Sequence, residues 1–196
     1  MSEDIFENYA EEYDRWFDEH RKVYRAELAR IREAISPPDS RSIDIGTGSG
    51  RFADPLGIPL GLEPSAALSR MARQRGIGVV RGMAEAIPFG DGSFSSALMV
   101  TVICFLDDPL QAFREVHRIL DQGGRIVVAF IERNGEIARK YLHEPGKHRF
   151  LSRARFYSSE EVQTLLKRTG FEVNAIDSRT GFSVISARKP DMMAHD

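Results

Sequence analysis

The chain of 196 residues contains a single cysteine, Cys104. One thiol excludes an internal disulfide framework and a cysteine-based zinc site. No apolar run approaches the ~20 residues that span a bilayer. The opening residues are acidic and lack an apolar core of the signal-peptide kind, so no leader is expected. Net charge is only −2, and no global basic field points to nucleic acid. Repeats and low-complexity segments are absent. No cluster has metal-ligand spacing, and His143 and His148 read as isolated residues of a solvated loop. Apolar content of 42% and charged content of 29% are ordinary for a globular protein. A reduced, cytoplasmic enzyme of one domain is the simplest class, acting as a monomer or homodimer without a membrane partner.

What is present begins with aromatics. Phe6, Tyr9, Tyr13, Trp16 and Phe17 share one face of a helix over 4–18. A second amphipathic helix covers 21–35 and stops at Pro37-Pro38. Strands are predicted at 41–45, 58–62, 77–81, 94–101 and 125–131, with a turn at 121–124. Helices fall between them at 64–75 and 109–120. A helix at 159–169, capped by Ser158 or Ser159, leads to a terminal hairpin of strands at 171–177 and 182–188. Alternating strand and helix means a parallel sheet with right-handed crossovers, and the hairpin adds an antiparallel edge. The domain is expected over 1–189, with a helical cap at 1–36 and a disordered tail at 190–196.

The most informative stretch is Ser42-Ile-Asp-Ile-Gly-Thr-Gly-Ser-Gly50. Glycine lets backbone approach a ligand closely and adopt positive φ without strain. A strand ending in such a loop is where doubly wound α/β proteins bind nucleotides. The dinucleotide fingerprint G-x-G-x-x-G needs its third glycine at 51, where Arg51 stands. Nicotinamide chemistry is therefore disfavoured.

The G-x-G-x-G spacing behind Asp44 resembles motif I of the class I S-adenosylmethionine (AdoMet) methyltransferases. Gly61-Leu62-Glu63-Pro64-Ser65 resembles that family's G-x-D-x-S, with Glu for Asp. Residues 82–96, G-M-A-E-A-I-P-F-G-D-G-S-F-S-S, resemble its G-D-A-E-x-L-P-F-x-D-x-S-F-D segment. Met83 and Ser96 replace two of its acids. The Leu98–Pro109 stretch, Glu115, Arg118 and Gly123-Gly124 match its strand-four exit and its E-x-x-R-x-L-x-x-G-G helix. The likeness runs from about residue 9 to 188. It is strongest with the small group that includes ubiquinone- and menaquinone-biosynthesis enzymes. The loop from Gly50 to Glu63 is shorter than is usual there, clipped by Pro55. That loop and the Met-Val-Thr-x-Ile-Cys-Phe stretch resemble a microbial subset described as possible histamine methyltransferases, a label that fixes no substrate.

The resemblance implies a Rossmann-like, seven-stranded, mostly parallel sheet with an antiparallel last strand and helices on both faces. It also implies AdoMet as cofactor. Gly46, Thr47, Gly48 and Gly50 would approach its amino-acid end, with Asp44 anchoring the ammonium group. Glu63, beside Pro64, would accept the ribose hydroxyls. Met83, Ala84 and Glu85 would take the adenine in place of the usual Asp. Thr101 and Val102 would line the cofactor, and Tyr13, of a Tyr13-Asp14 pair, would cover it. Cys104-Phe105 stand where many relatives have a substrate-facing histidine, so no His base comes from that loop. Cys104 reads as a small core residue. Methyl transfer is an in-line displacement that needs positioning and desolvation more than acid–base power, so no catalytic triad is expected. A small molecule is the expected acceptor. The alternative is an AdoMet-binding module that supports a partner protein.

Two charged segments flank the reading. Residues 1–20 hold eight acids against Arg15 alone, and residues 133–155 hold seven Lys or Arg. Both are lid candidates. Acids and aromatics at a cleft mouth suit a cationic amine. The basic segment, with Arg139, Tyr141, Arg149 and Arg155, equally suits a carboxylate or phosphate. The sequence leaves the two open.

Overall fold

The computed structural model describes residues 3–143, 149–151 and 154–191. Seven strands form one sheet: β1 (Ser42–Ile45), β2 (Leu60–Leu62), β3 (Gly78–Val80), β4 (Phe94–Val100), β5 (Leu120–Ile131), β6 (Glu172–Arg179) and β7 (Phe182–Arg188). Their order is β3-β2-β1-β4-β5-β7-β6. Pairing is parallel from β3 through β5, and β7 runs antiparallel to both β5 and β6. The expected topology is the one found.

Period-two side-chain alternation explains why β4 and β5 read as unbroken apolar runs. Ala97, Met99, Ile126 and Val128 pack on one face of the sheet, under α6 (Pro109–Ile119) and α8 (Ser159–Arg168). Leu98, Val100, Val127 and Ala129 pack on the other. There they meet Phe17 of α2 (Ala10–Glu19), Ile31 of α3 (Arg21–Ala34), Leu56 of the one-turn α4 (Ala53–Leu56) and Ala72 of α5 (Ala66–Gln74).

The helix starts follow their caps. Asp108 accepts the Gln111 N–H at 3.0 Å ahead of Pro109. Ser65 accepts the Leu68 N–H at 3.1 Å, and Ser158, not Ser159, forms a capping box with Glu161. Glu115 and Arg118 turn out to hold a loop. Arg118 binds Glu115 and donates to the carbonyls of Ile87 and Phe89 at 2.9 and 2.7 Å, while Glu115 takes the Ile87 N–H at 2.8 Å.

Three expectations are revised. The helix expected over 4–18 breaks at Tyr9 (φ −127°), giving α1 (Glu3–Asn8) and α2. That bend lets the two pieces fold over the sheet edge. The basic segment contains a helix, α7 (Glu136–His143), so His143 is helical; His148 lies outside the described residues. The turn at 121–124 is drawn into β5's span, because Gly123 and Gly124 exchange hydrogen bonds with Lys189 at 3.1 and 2.8 Å. Lys189 is consequently ordered, its Nζ donating to the carbonyls of His117 and Leu120, while residues 192–196 lie outside the described residues.

Candidate functional site

Strand order reverses direction between β1 and β4. At such a switch point a crevice opens beyond the strands' carboxyl ends, where open α/β sheets bind ligands. The crevice here has about 990 Å³ of empty space, its mouth included.

Its floor is the loop after β1. Gly46, Gly48 and Gly50 hold φ of +69°, +56° and +85°, a run that only glycine tolerates cheaply. A Cβ on Gly46 would lie 2.4 Å from Val102, and one on Gly48 would lie 3.4 Å from the Tyr13 ring and hydroxyl. Both glycines line the crevice. Gly50 does not; it packs under α5, where a Cβ would sit 3.2 Å from the Ala72 backbone. Thr47 is buried beneath the loop, its methyl against Gly61, where a Cβ would approach to 2.4 Å.

Asp44 is 2% exposed, and its Oδ1 has no hydrogen-bond partner among the described residues. Burial pushes its carboxyl up to about 7; the nearby Thr47 hydroxyl opposes this and the Glu63 charge adds to it. The Thr47 hydroxyl itself makes no hydrogen bond of good geometry among the described residues. Glu63, 5% exposed, stands at the end of β2. Its Oε2 accepts the Gly48 N–H and its Oε1 the Ser65 N–H, each at 2.9 Å.

Pro64, Met83, Ala84 and Glu85 form the side wall, with Met83 39% exposed. Glu85 Oε1 accepts the N–H groups of Asp107 and Asp108 at 3.1 and 3.4 Å, and its Oε2 is buried without a hydrogen-bond partner among the described residues. The opposite wall is Thr101 and Val102. Thr101 has φ +56°, a strained value for a β-branched residue. Its N–H bonds Ala129 O at 2.7 Å, fixing the sharp exit from β4. Cys104 bonds Thr101 O and is buried, and burial pushes its thiol up to about 12, which makes it a poor nucleophile.

The roof comes from the N-terminal helices. Phe6 and Tyr13 line the crevice, and burial together with the Glu63 and Asp44 charges raises the Tyr13 hydroxyl far above its usual pKa. Two latches hold this roof down. Asp14 makes a two-pronged ion pair with Arg51 at 2.8 Å and a third bond to Arg75 at 2.9 Å. Burial pulls the Asp14 carboxyl up, but Arg51, Ser49 and Arg75 outweigh it and hold it at about 2. Glu7 accepts the Ser65 hydroxyl at 2.7 Å and the Ala67 N–H at 3.0 Å, at the start of α5.

Among its described residues, the basic segment meets the roof and does not line the crevice. Arg149 lies 3.8 Å over the Tyr9 ring and 3.5 Å from Glu12, and Phe150 stacks on Phe6 at 5.6 Å. Arg155 sits over Tyr157, Tyr141 stacks on Phe156, and Arg139 reaches back to Gly135 O at 3.4 Å. Among the described residues no Lys or Arg lines the crevice.

Sequence reasoning missed Asp107 as a crevice residue, and had Phe6 only within a lid-candidate stripe and Phe105 only by its place in the resemblance. Phe6 was visible as part of an aromatic stripe, but no local signal separates a stripe that packs from one that roofs a cavity. The orphaned Asp44 oxygen, the orphaned Glu85 oxygen and the glycine floor together fit a ligand with a cationic group and several hydrogen-bonding edges, as AdoMet is.

Comparison with known proteins agrees. A methyltransferase-domain family matches residues 43–128. A Thermotoga maritima SAM-dependent methyltransferase, described as a possible histamine N-methyltransferase, is 39% identical, with 94% of this chain and 98% of that one covered and a TM-score of 0.88. An uncharacterised protein of Methanocaldococcus jannaschii is 37% identical over 168 residues, covering 86% of this chain and 81% of that one. The chain spans 58% of the length of matching mycobacterial proteins. A Haloferax volcanii methyltransferase in complex with the Trm112 methyltransferase activator shares the fold, at 19% identity, full coverage and a TM-score of 0.81. The fold, the glycine floor and these likenesses converge: the chain belongs to the class I AdoMet-dependent methyltransferases.

Proposed function

We propose that this enzyme passes the methyl group of AdoMet to a small-molecule acceptor in the cytoplasm. The observation that carries the proposal is the roofed crevice itself, which opens beside the glycine floor and is walled by Glu63, Met83 and Thr101. AdoMet supplies a methyl group already activated on a sulfonium. The chain's residues bind, orient and exclude water. Asp44 holds the ammonium end over Gly46, Thr47 and Gly48. Glu63, next to Pro64 at the end of β2, takes the ribose hydroxyls. Met83 lies along the adenine, with Ala84 and Glu85 at its polar edge. Thr101, Val102 and Tyr13 close the space around the sulfonium, and Gly50 supports the loop from beneath. No residue is assigned as a base.

Calorimetric titration with AdoMet, followed by turnover of labelled AdoMet over amines, thiols and phenols, tests this. AdoMet binding with transfer to one class supports it. Binding without transfer, restored only by a partner protein, favours the alternative of a supported module, the arrangement of the Haloferax volcanii complex. Absence of AdoMet binding removes both.

A further inference from the structure

We propose that a second cavity, at the opposite end of the sheet, binds a phosphate group between Arg125 and Arg188. The site is independent of the methyl-transfer reading, because its lining shares no residue with the cofactor crevice.

This cavity lies at the amino ends of β4 and β5, under the end of α3. It has about 730 Å³ of empty space, its mouth included. One row of side chains builds it. Register sets Ser42, Ser96, Arg125, Arg188 and Glu172 side by side across β1, β4, β5, β7 and β6. The row shares the sheet face of Leu98 and Val127, two residues further along their strands, which pack toward α3. Ser42 and Ser96 are buried, and Ser96 donates to Ser42 at 2.8 Å.

The charges of the row do not cancel. Arg125 and Arg188 are direct cross-strand partners, and like charges so placed repel. Glu172 relieves Arg188 with bonds of 2.8 and 2.9 Å. Arg125 has no such partner. Its Nη1 donates to the Ser36 hydroxyl just past α3, and it makes no ion pair among the described residues. The nearby acids are spent elsewhere. Asp121 binds Arg41 at 2.8 Å, and Asp39 accepts the Arg41 N–H and the Ser95 hydroxyl, both at 2.8 Å. Among the described residues no Asp or Glu lines the cavity.

The donors also surround the space. Arg125, Arg188 and Ser186 rise from the sheet, and Ser36 comes from the end of α3. Asn174 comes from the edge strand, at a bulge that leaves it out of the ladder between Val173 and Ala175. One guanidinium fork satisfies a planar carboxylate, whereas donors from several directions suit a tetrahedral oxyanion. An anion here would also offset the repulsion between the two arginines.

The test is calorimetric titration of the full chain at low ionic strength with inorganic phosphate, phenyl phosphate and benzoate. Both phosphates are expected to bind at least about tenfold more tightly than benzoate. Tighter binding of the inorganic ion assigns a free anion, and tighter binding of phenyl phosphate assigns a monoester; either sustains the site. Arg125→Met keeps the apolar stem, removes the unpaired guanidinium and should weaken phosphate at least about tenfold. Ser96→Asp sets a carboxylate beside Arg125 in the row and should weaken phosphate likewise. The thermal midpoint and AdoMet affinity of Arg125→Met should match those of the parent, so that the loss reports this site and not the fold. Absence of phosphate binding, benzoate binding as tightly as the phosphates, or unchanged phosphate affinity in Arg125→Met overturns the inference.

Discussion

Gly48 shows how one residue carries several constraints. Its φ of +56° is costly for any side chain, and a Cβ would already reach van der Waals contact with Tyr13 at 3.4 Å, leaving no room for the further methyls of a valine. Gly48→Val is expected to abolish AdoMet binding in calorimetry. Glu63→Ala should weaken it by about 1–3 kcal/mol, the range for losing a charge-assisted hydrogen-bonded group. Unchanged affinity would take Glu63 out of the site. Asp44 makes a pH prediction. With its carboxyl near 7, it is largely protonated at pH 5 and ionised at pH 8. A cationic ammonium group favours the ionised form, so AdoMet affinity should fall as pH drops from 7 toward 5. Asp44→Asn should bind weakly with a flat profile over that range. At this scale the sequence was informative: Asp44, the glycines and Glu63 stand where their spacing puts them. Gly50 and Thr47 have packing roles that spacing alone does not distinguish from ligand contact.

The N-terminal roof is the element whose position the linear pattern specifies least. Its aromatic stripe predicts a helix but not what the helix covers. The break at Tyr9 and the Asp14–Arg51–Arg75 ion pairs decide that. Arg51 had argued against a dinucleotide fingerprint; in the fold it ties the roof to the glycine loop. Arg51→Met leaves a buried Asp14 with Arg75 alone, at a cost of about 3 kcal/mol, the lower end for stranding a buried charge. The loss should appear as faster amide exchange in α1 and α2, with β4 and β5 still protected. Equal exchange in the variant and the parent would mean the latch does not hold the roof. The sign with pH follows from the lowered Asp14 value. The folded carboxyl titrates at about 2, below its ordinary 3.8, so its contribution is full above about 4 and is lost as pH falls toward 2.

For the whole molecule, ligand and fold are linked through the sheet. The floor, side wall and far wall of the crevice arise from β1, β2, β3 and β4, which are held in register by one parallel ladder. AdoMet at a hundred times its Kd should therefore stabilise the folded chain by about 2.7 kcal/mol. For a domain of this size that raises the thermal midpoint by roughly 5–10 °C. No shift at saturating AdoMet would contradict binding to the folded state. Among the described residues no helix is long and apolar enough to cross a membrane.

The sequence by itself determined the run of strands and helices, the mostly parallel sheet and the glycine loop, and its family resemblance implied the cofactor. The elements and the loop are set by local rules: period-two burial, caps, and the φ that only glycine reaches. Only the tertiary structure decided what lines the crevice. Phe6, Phe105, Asp107 and Phe150 are far apart in sequence, and nothing in their local patterns says that they meet. The choice between an acidic aromatic mouth and a basic one likewise depended on which charges found partners during packing. Described arginines of the basic segment bind the roof and neighbouring side chains, and among the described residues no Lys or Arg lines the crevice.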